Sequence, residues 1–379
     1  MPEQYITEFN ATPTPILGVA TAVPAFLGYT QNAVPRQAIS ISSMADYDAI
    51  FGAGPRFNLY DSLQLFYANG GATCYVVSVG NEANAVSADD LLAGLAVIGQ
   101  QAGPTMLVLP DATLLATVDD YSQVVRAMLE QCGTLQDRVA ILDVYGGNSV
   151  TSSTELAAVV AAFHAAVGEQ FLSYGAAYFP FLETTIRGVL PPSGAMAGVF
   201  AQVDSATGVW QAPANVSLAS VTNPTFAVTA AEQDELNAPA DGKAVNAIRE
   251  FPTRGTVVWG ARTLDGNDND YRYIHVRRTM IYIEQSIRRA LPHYAFFRND
   301  AQTWPIVIAA VSNFLQGLWA QGGLGGRTAA EAFSVACGLG TTMTQQDILD
   351  GILRVQVQVQ ILRPAELIPL TFVQKIQGA

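Results

Sequence analysis

The sequence predicts an α/β protein, α+β overall, with a doubly wound sheet in residues 25–183 and a separate α+β unit over residues 184–379. Three observations carry this expectation. Thr105–Leu109 and Val139–Val144 are short apolar runs of the kind buried on both faces of a parallel sheet. Helical stretches alternate with them, which is the pattern of a doubly wound fold. Beyond residue 250 the chain changes character, to a strand, an acidic turn and a long amphipathic helix.

Taken in order, residues 1–24 read as an extended arm. Tyr5-Ile6-Thr7 and Phe9 can pair as a short strand, and Thr12-Pro13-Thr14-Pro15 holds the backbone extended. Pro24 is expected to end an apolar strand that starts at Ile16. A frayed terminus is the alternative reading of the same residues. Helical pieces follow at Tyr47–Gly54 and Ser62–Ala68, then a strand at Cys74–Val79 and a helix at Ala88–Ile98. Asp119 and Asp120 open a helix over Val118–Cys132, and Ser153-Thr154-Glu155 opens another through Val167. Tyr178–Phe181 resembles a last strand. Residues 184–250 form a join of turns, short polar strands and a helical Thr229–Leu236.

Gly255 and Gly260 bound the strand Thr256–Trp259, and Asp265–Asp270 is a strong breaker. Val276, Met280, Ile283, Ile287 and Leu291 then recur at helical spacing, opposite a basic stripe of Arg277, Arg278, Arg288 and Arg289. Ala295-Phe296-Phe297 is expected to be a strand. Trp304, Ile308, Val311, Leu315 and Leu318 mark a helix ended by Gly322-Gly323. Thr328 with Glu331, and Thr344 with Asp347, have capping-box spacing. Val355, Val357, Val359 and Ile361 alternate with polar residues, so that strand has one apolar face.

The 379 residues are 50% hydrophobic and only 13% charged, a balance suited to a subunit that buries surface against its own copies. The net charge of −13 is confined to the first half: residues 1–183 hold 4 basic and 17 acidic residues, and the remaining 15 of each cancel. An acidic half disfavours nucleic acid and anionic membranes. No apolar run reaches the length of a membrane span, and the start has no secretory pattern. Three widely spaced cysteines without ligand spacing fit free buried thiols in a reducing compartment.

Asp111 and Asp143 stand at the ends of two buried strands, where a doubly wound sheet gathers its sites. They could serve an α/β enzyme as a metal-holding or acid–base pair, or be turn formers. If the chain is structural, the double change D111N/D143N is expected to leave assembly intact. Gly322–Thr328 lacks the lysine and spacing of a phosphate loop and reads as a joint between helices. His164, His275 and His293 have no metal-ligand spacing. No cofactor is expected. The basic helix face reads as solvated surface or as a dock for an acidic protein.

Phe251–Leu264, Arg272–Arg289 and Thr303–Gly326, with Pro192–Asn215 and Arg363–Phe372, resemble the contractile tail sheath proteins of myophage tails, R-type pyocins and extracellular contractile injection systems. The resemblance is strong from roughly residue 187 to 374. It departs at the start, where Pro2-Glu3-Gln4-Tyr5-Ile6 stands in place of Pro-Gly-Val-Tyr. It implies a structural subunit, not an enzyme, built into stacked hexameric rings around an inner tube protein, with baseplate and cap proteins at the ends. The 25–183 domain would lie outside. The inner domain would comprise 184–379 and the N-terminal arm. Gln4, Tyr5, Ile6, Thr7, Glu8 and Phe9, and Leu367, Ile368, Pro369, Leu370, Thr371, Phe372 and Val373, would add as strands to neighbouring copies. Val355, Val357, Val359 and Ile361 would form the receiving edge, and Arg277, Arg278, Arg288, Arg289 and Arg327 are candidates to face the tube. A baseplate-proximal accessory variant is a further alternative.

Overall fold

The computed structural model describes residues 14–32, 34–54 and 56–364. In chain order the strands are β1 (Pro24–Thr30), β2 (Ala38–Ile41), β3 (Cys74–Asn81), β4 (Met106–Val108), β5 (Val139–Asp143), β6 (Gly175–Phe179), β7 (Leu182–Thr184), β8 (Val189–Leu190), β9 (Val216–Ser217), β10 (Val221–Pro224), β11 (Val245–Phe251), β12 (Gly255–Val258), β13 (Phe333–Ala336) and β14 (Gln356–Val359). The helices are α1 (Met44–Phe51), α2 (Leu59–Ala68), α3 (Ala88–Gly99), α4 (Val118–Leu135), α5 (Ser153–Val167), α6 (Ser193–Ala206), α7 (Ala230–Asn237), α8 (Ile274–Ala290), α9 (Thr303–Ala320), α10 (Ala329–Ala332) and α11 (Gln345–Leu349).

Among the described residues, nine strands form one sheet in the order β2-β3-β1-β4-β5-β6-β11-β12-β9. The six from β3 to β11 are parallel, and β2, β12 and β9 pair antiparallel at the two margins. Strand β1 is buried along its whole length because helices cover both faces. Phe26 meets Phe66 of α2, with ring centres 5.3 Å apart. The next side chain, Leu27, points to the other face and meets α3 at Gly94. Pro24 opens this strand; it does not end one. A first-position proline loses no ladder hydrogen bond.

The sheet does not break at residue 183. Val245–Ala247 pair with Ala177–Phe179, so the segment expected as a join supplies β11 and continues the central sheet. Within that segment lies α6, a helix where a turn was expected. Its glycines explain both its presence and its concealment. A Cβ on Gly194 would stand 2.4 Å from the Ser62 carbonyl oxygen, and one on Gly198 2.5 Å from that of Phe66. Glycine at this four-residue spacing lets α6 lie against the backbone of α2. Its residues from Ser193 to Ala201 are all buried, so no amphipathic stripe marks the helix.

A second core forms around Ile283, Ile287, Val307, Val311, Leu315 and Leu318. Helix α8 joins the two: Ile274 and Ile281 belong to the first core, and Ile283 and Ile287 to the second. Two local expectations fail here. Residues 295–297 are not a strand, because Pro292 sits in a 3-10 turn over Leu291–Tyr294 and Phe296 has φ +67°. Thr328 makes no side-chain cap; Glu331 instead accepts from the Arg327 N–H at 2.8 Å. Thr344 and Asp347 do form the reciprocal box.

Candidate subunit interface

The Val355–Ile361 alternation lies on β14. It pairs antiparallel with β13, with Val357 opposite Val335 and Val359 opposite Phe333. Val355, Val357, Val359 and Ile361 pack half-buried against the second core, while Gln356, Gln358 and Gln360 are exposed. Among the described residues this sheet has two strands, so each keeps an edge without a strand partner. An open groove of about 690 Å³ runs beside β14, its apolar lining of Val276, Met280, Val357, Val359 and Ile361 flanked by Asp270, Gln360 and Arg363. A groove with an apolar floor beside a free main-chain edge suits an extended peptide.

The first and last described residues lie near this second unit. Thr14 Oγ1 lies 2.9 Å from His293 Nε2. At the other end the Arg363 guanidinium lies 3.5 Å from the Asp270 carboxylate. Residues 4–9 and 367–373, expected to pair with other copies, lie outside the described residues.

The five arginines expected to face a tube separate into two sets. Arg278 is buried: it forms an ion pair with Asp204 of α6 at 2.6 Å, donates to the Thr21 carbonyl at 2.9 Å, and lies 4.7 Å from the Phe200 ring centre. Arg277 is held between Tyr271 and Tyr174, 3.4 and 4.3 Å from their ring centres, and donates to Ser173 Oγ at 2.7 Å. The inclusion of Arg278 among tube-facing residues is therefore corrected: its guanidinium fastens α8 to α6. Arg277 is tied down in the same way. Arg288, Arg289 and Arg327 are exposed.

Asp111 and Asp143 are buried anchors, each with its own partners. Asp111 Oδ2 accepts from the Tyr29 N–H at 2.8 Å, and Oδ1 from those of Asn58 and Leu59 at 2.8 and 3.1 Å. It thus ties the end of β4 to β1 and to the start of α2. Asp143 accepts from the Ser193 N–H at 2.7 Å and shares a 2.6 Å contact with Ser193 Oγ, capping α6. Burial pushes the Asp111 carboxyl up to about 6, against three N–H groups that favour the charged form, and pushes Asp143 up to about 7. Burial, reinforced by nearby Arg278, lowers the His275 imidazole to about 4. Among the described residues no cluster of three metal-ligating side chains occurs. Cys74, Cys132 and Cys337 are buried and free. No helix of the described residues is long and apolar enough to cross a membrane.

Among the described residues the fold is a helix-covered mixed sheet carrying a small second unit, whose two-stranded sheet keeps edges without a strand partner and against which the first and last described residues lie. The particular family follows from comparison: the chain belongs to the phage tail sheath proteins. Residues 84–264 match the family model for the phage tail sheath protein central domain, and residues 266–375 that for the phage tail sheath C-terminal domain. The chain is 34% identical to a protein of the sheath complex of PVC, an extracellular contractile injection system, in the contracted state (TM-score 0.83, covering 99% of this chain and 98% of that one). It is also 34% identical to a chain of the contracted helical sheath of the anti-feeding prophage, with TM-score 0.80 and 99% of both chains covered. A chain in the baseplate structure of that particle is 33% identical, with TM-score 0.78 and 99% of both covered. Among curated proteins there is no match.

Proposed function

We propose that this chain is the sheath subunit of a contractile injection machine. It polymerises with its own copies as stacked hexameric rings around an inner tube, and it shortens to drive that tube through a target envelope. The observation that carries the reading is the end-to-end likeness, 34% identity over 99% of the chain, to the sheaths of two contractile particles. The acidic first half faces solvent, and the second unit lines the inner wall with both arms. Residues 4–9 and 367–373 add as strands in neighbouring copies, with β14 as the receiving edge. Arg288, Arg289 and Arg327 are the basic residues left to meet a tube. Baseplate and cap proteins bound the polymer, which assembles in the bacterial cytoplasm as a phage tail or a releasable tail-like particle.

No catalytic step is part of this function. The buried carboxylates that an enzyme would need are occupied by backbone N–H groups and a serine. Contraction draws on surface buried between subunits, at about 25 cal/mol per Å² of apolar area. The likeness to a baseplate chain supports a second reading, an accessory copy at the sheath's proximal end. Negative-stain imaging of the protein expressed alone separates the two. Long striated tubes support the sheath reading, single rings support the accessory one, and monomers at high concentration contradict both.

A further inference from the structure

The backbone from Thr14 to Val23 lies along α8 and the turn that follows it, anchored at intervals. Thr14 meets His293 at 2.9 Å, the Val19 N–H donates to Ser286 Oγ at 3.1 Å, and the Thr21 carbonyl accepts from Arg278 at 2.9 Å. Between these points Ile16 enters the second core. Gly18 rests on the Tyr282 ring so closely that a Cβ would stand 2.1 Å from Oη and 2.9 Å from Cζ. Arg278, Tyr282 and Ser286 are spaced by four, so they share one helix face. The lengths agree: seven extended steps from residue 14 to 21 cover roughly 23 Å at strand rise, and twelve α-helical steps with three 3-10 steps from 278 to 293 cover roughly 24 Å. Past Thr21 the chain is tied to Thr105, whose Oγ1 donates to the Thr21 carbonyl at 2.8 Å and accepts from the Val23 N–H at 2.9 Å. It then becomes β1, in the middle of the main sheet.

We propose that residues 14–23 are a seated strap that carries tension from the N-terminal arm along α8 into the central sheet. The inference rests on the proposed exchange of that arm between copies. Because strap and helix are collinear, a pull on the arm loads the anchors together, in shear, and does not peel them one at a time. The seated part of the chain therefore already includes Thr14, anchored to His293. Gly18 is the positioning residue: any larger side chain there has to displace the Tyr282 hydroxyl and ring before the strap can sit down.

Hydrogen exchange on the unassembled full-length chain, followed by imaging of assembly, tests this. The Val19 amide is expected to exchange at least 100-fold more slowly than in a free peptide. Gly18→Val should abolish that protection while leaving the amides of β4 and β5 as slow as in the parent chain, and should shorten or abolish tubes. Ser286→Ala, which removes an acceptor and adds no bulk, should lower the Val19 protection several-fold. Free-peptide exchange at Val19, undiminished protection in Gly18→Val, or parental tubes from a Gly18→Val chain whose strap is unprotected would each overturn the strap. Failure of the parent chain to form tubes would count against the sheath reading instead, and the exchange data would still judge the seat.

Discussion

Replacing Arg278 by Met should destabilise the unassembled chain by about 3–5 kcal/mol, the cost of leaving one member of a buried ion pair alone. The structure places the site at the upper end of that range. The side chains of Arg278 and Asp204 are only 4% and 5% exposed, so water cannot replace the missing guanidinium. Two further contacts go with it, the Thr21 carbonyl and the Phe200 ring. By contrast, Arg288→Ala with Arg289→Ala, on the exposed side of the same helix, should stay within about 0.5 kcal/mol. The double change Arg278→Met with Asp204→Leu should recover most of the loss, because an apolar pair can replace a buried ion pair at little cost. Urea unfolding at neutral pH, fitted to two-state transitions for the parent and the three variants, measures all of this. An Arg278→Met chain as stable as the parent would refute the assignment of Arg278 to the fold and return it to the tube-facing set.

The two buried carboxylates should respond in opposite ways to amidation. Asp143→Asn can still accept from the Ser193 N–H and donate to Ser193 Oγ, so it should be tolerated. Asp111→Asn turns an NH₂ toward backbone N–H donors and should cost about 1–3 kcal/mol. The double change D111N/D143N, expected to leave assembly intact, should therefore do so in a chain less stable by that amount. In the parent both carboxyls bind their protons more tightly when folded than when unfolded. Their contribution to stability is therefore present below about pH 4, the ordinary carboxylate value, and is lost as pH rises through about 6 to 7. Asp143→Asn should flatten part of that fall in a pH series of unfolding curves. Gly198→Val should cost at least about 1–3 kcal/mol by overpacking, since the side chain would meet the Phe66 backbone; calorimetry of the unassembled chain reads it. Arg288→Glu with Arg289→Glu and Arg327→Glu should weaken sheath attachment to its tube without lowering the melting temperature, as scored by co-sedimentation.

Much of the main sheet was legible because its signals are local. Thr105–Leu109 and Val139–Val144 are apolar enough to be buried strands wherever they fall, and Ser153 through Val167 are the bounds of α5 as read from residue type alone. Strand β14 and the apolar face of α8 were legible by periodicity. What escaped depends on partners distant in sequence. Helix α6 has no polar face to give it a period, and its glycines read as breakers until α2 is set against them. Strand β13 follows directly on the four-residue α10 and pairs with β14 across a long loop, so no local pattern marked it. Arg277 and Arg278 looked like their exposed neighbours because a charge pattern does not show whether Asp204 or a pair of tyrosines stands opposite. The apolar face of β14 could be found from sequence, whereas the seating of the N-terminal segment on α8 depends on contacts between residues more than 250 apart.

The central claim is that the termini are completed by other copies. Cross-linking within a mixed assembly tests it most directly. One chain carries Ile6→Cys and a second carries Gln358→Cys; the three native cysteines are buried and do not compete. Mild oxidation of co-assembled tubes should give a covalent dimer containing one of each chain. A disulfide that forms only when both substitutions lie on the same chain, and that leaves it monomeric, would contradict the account.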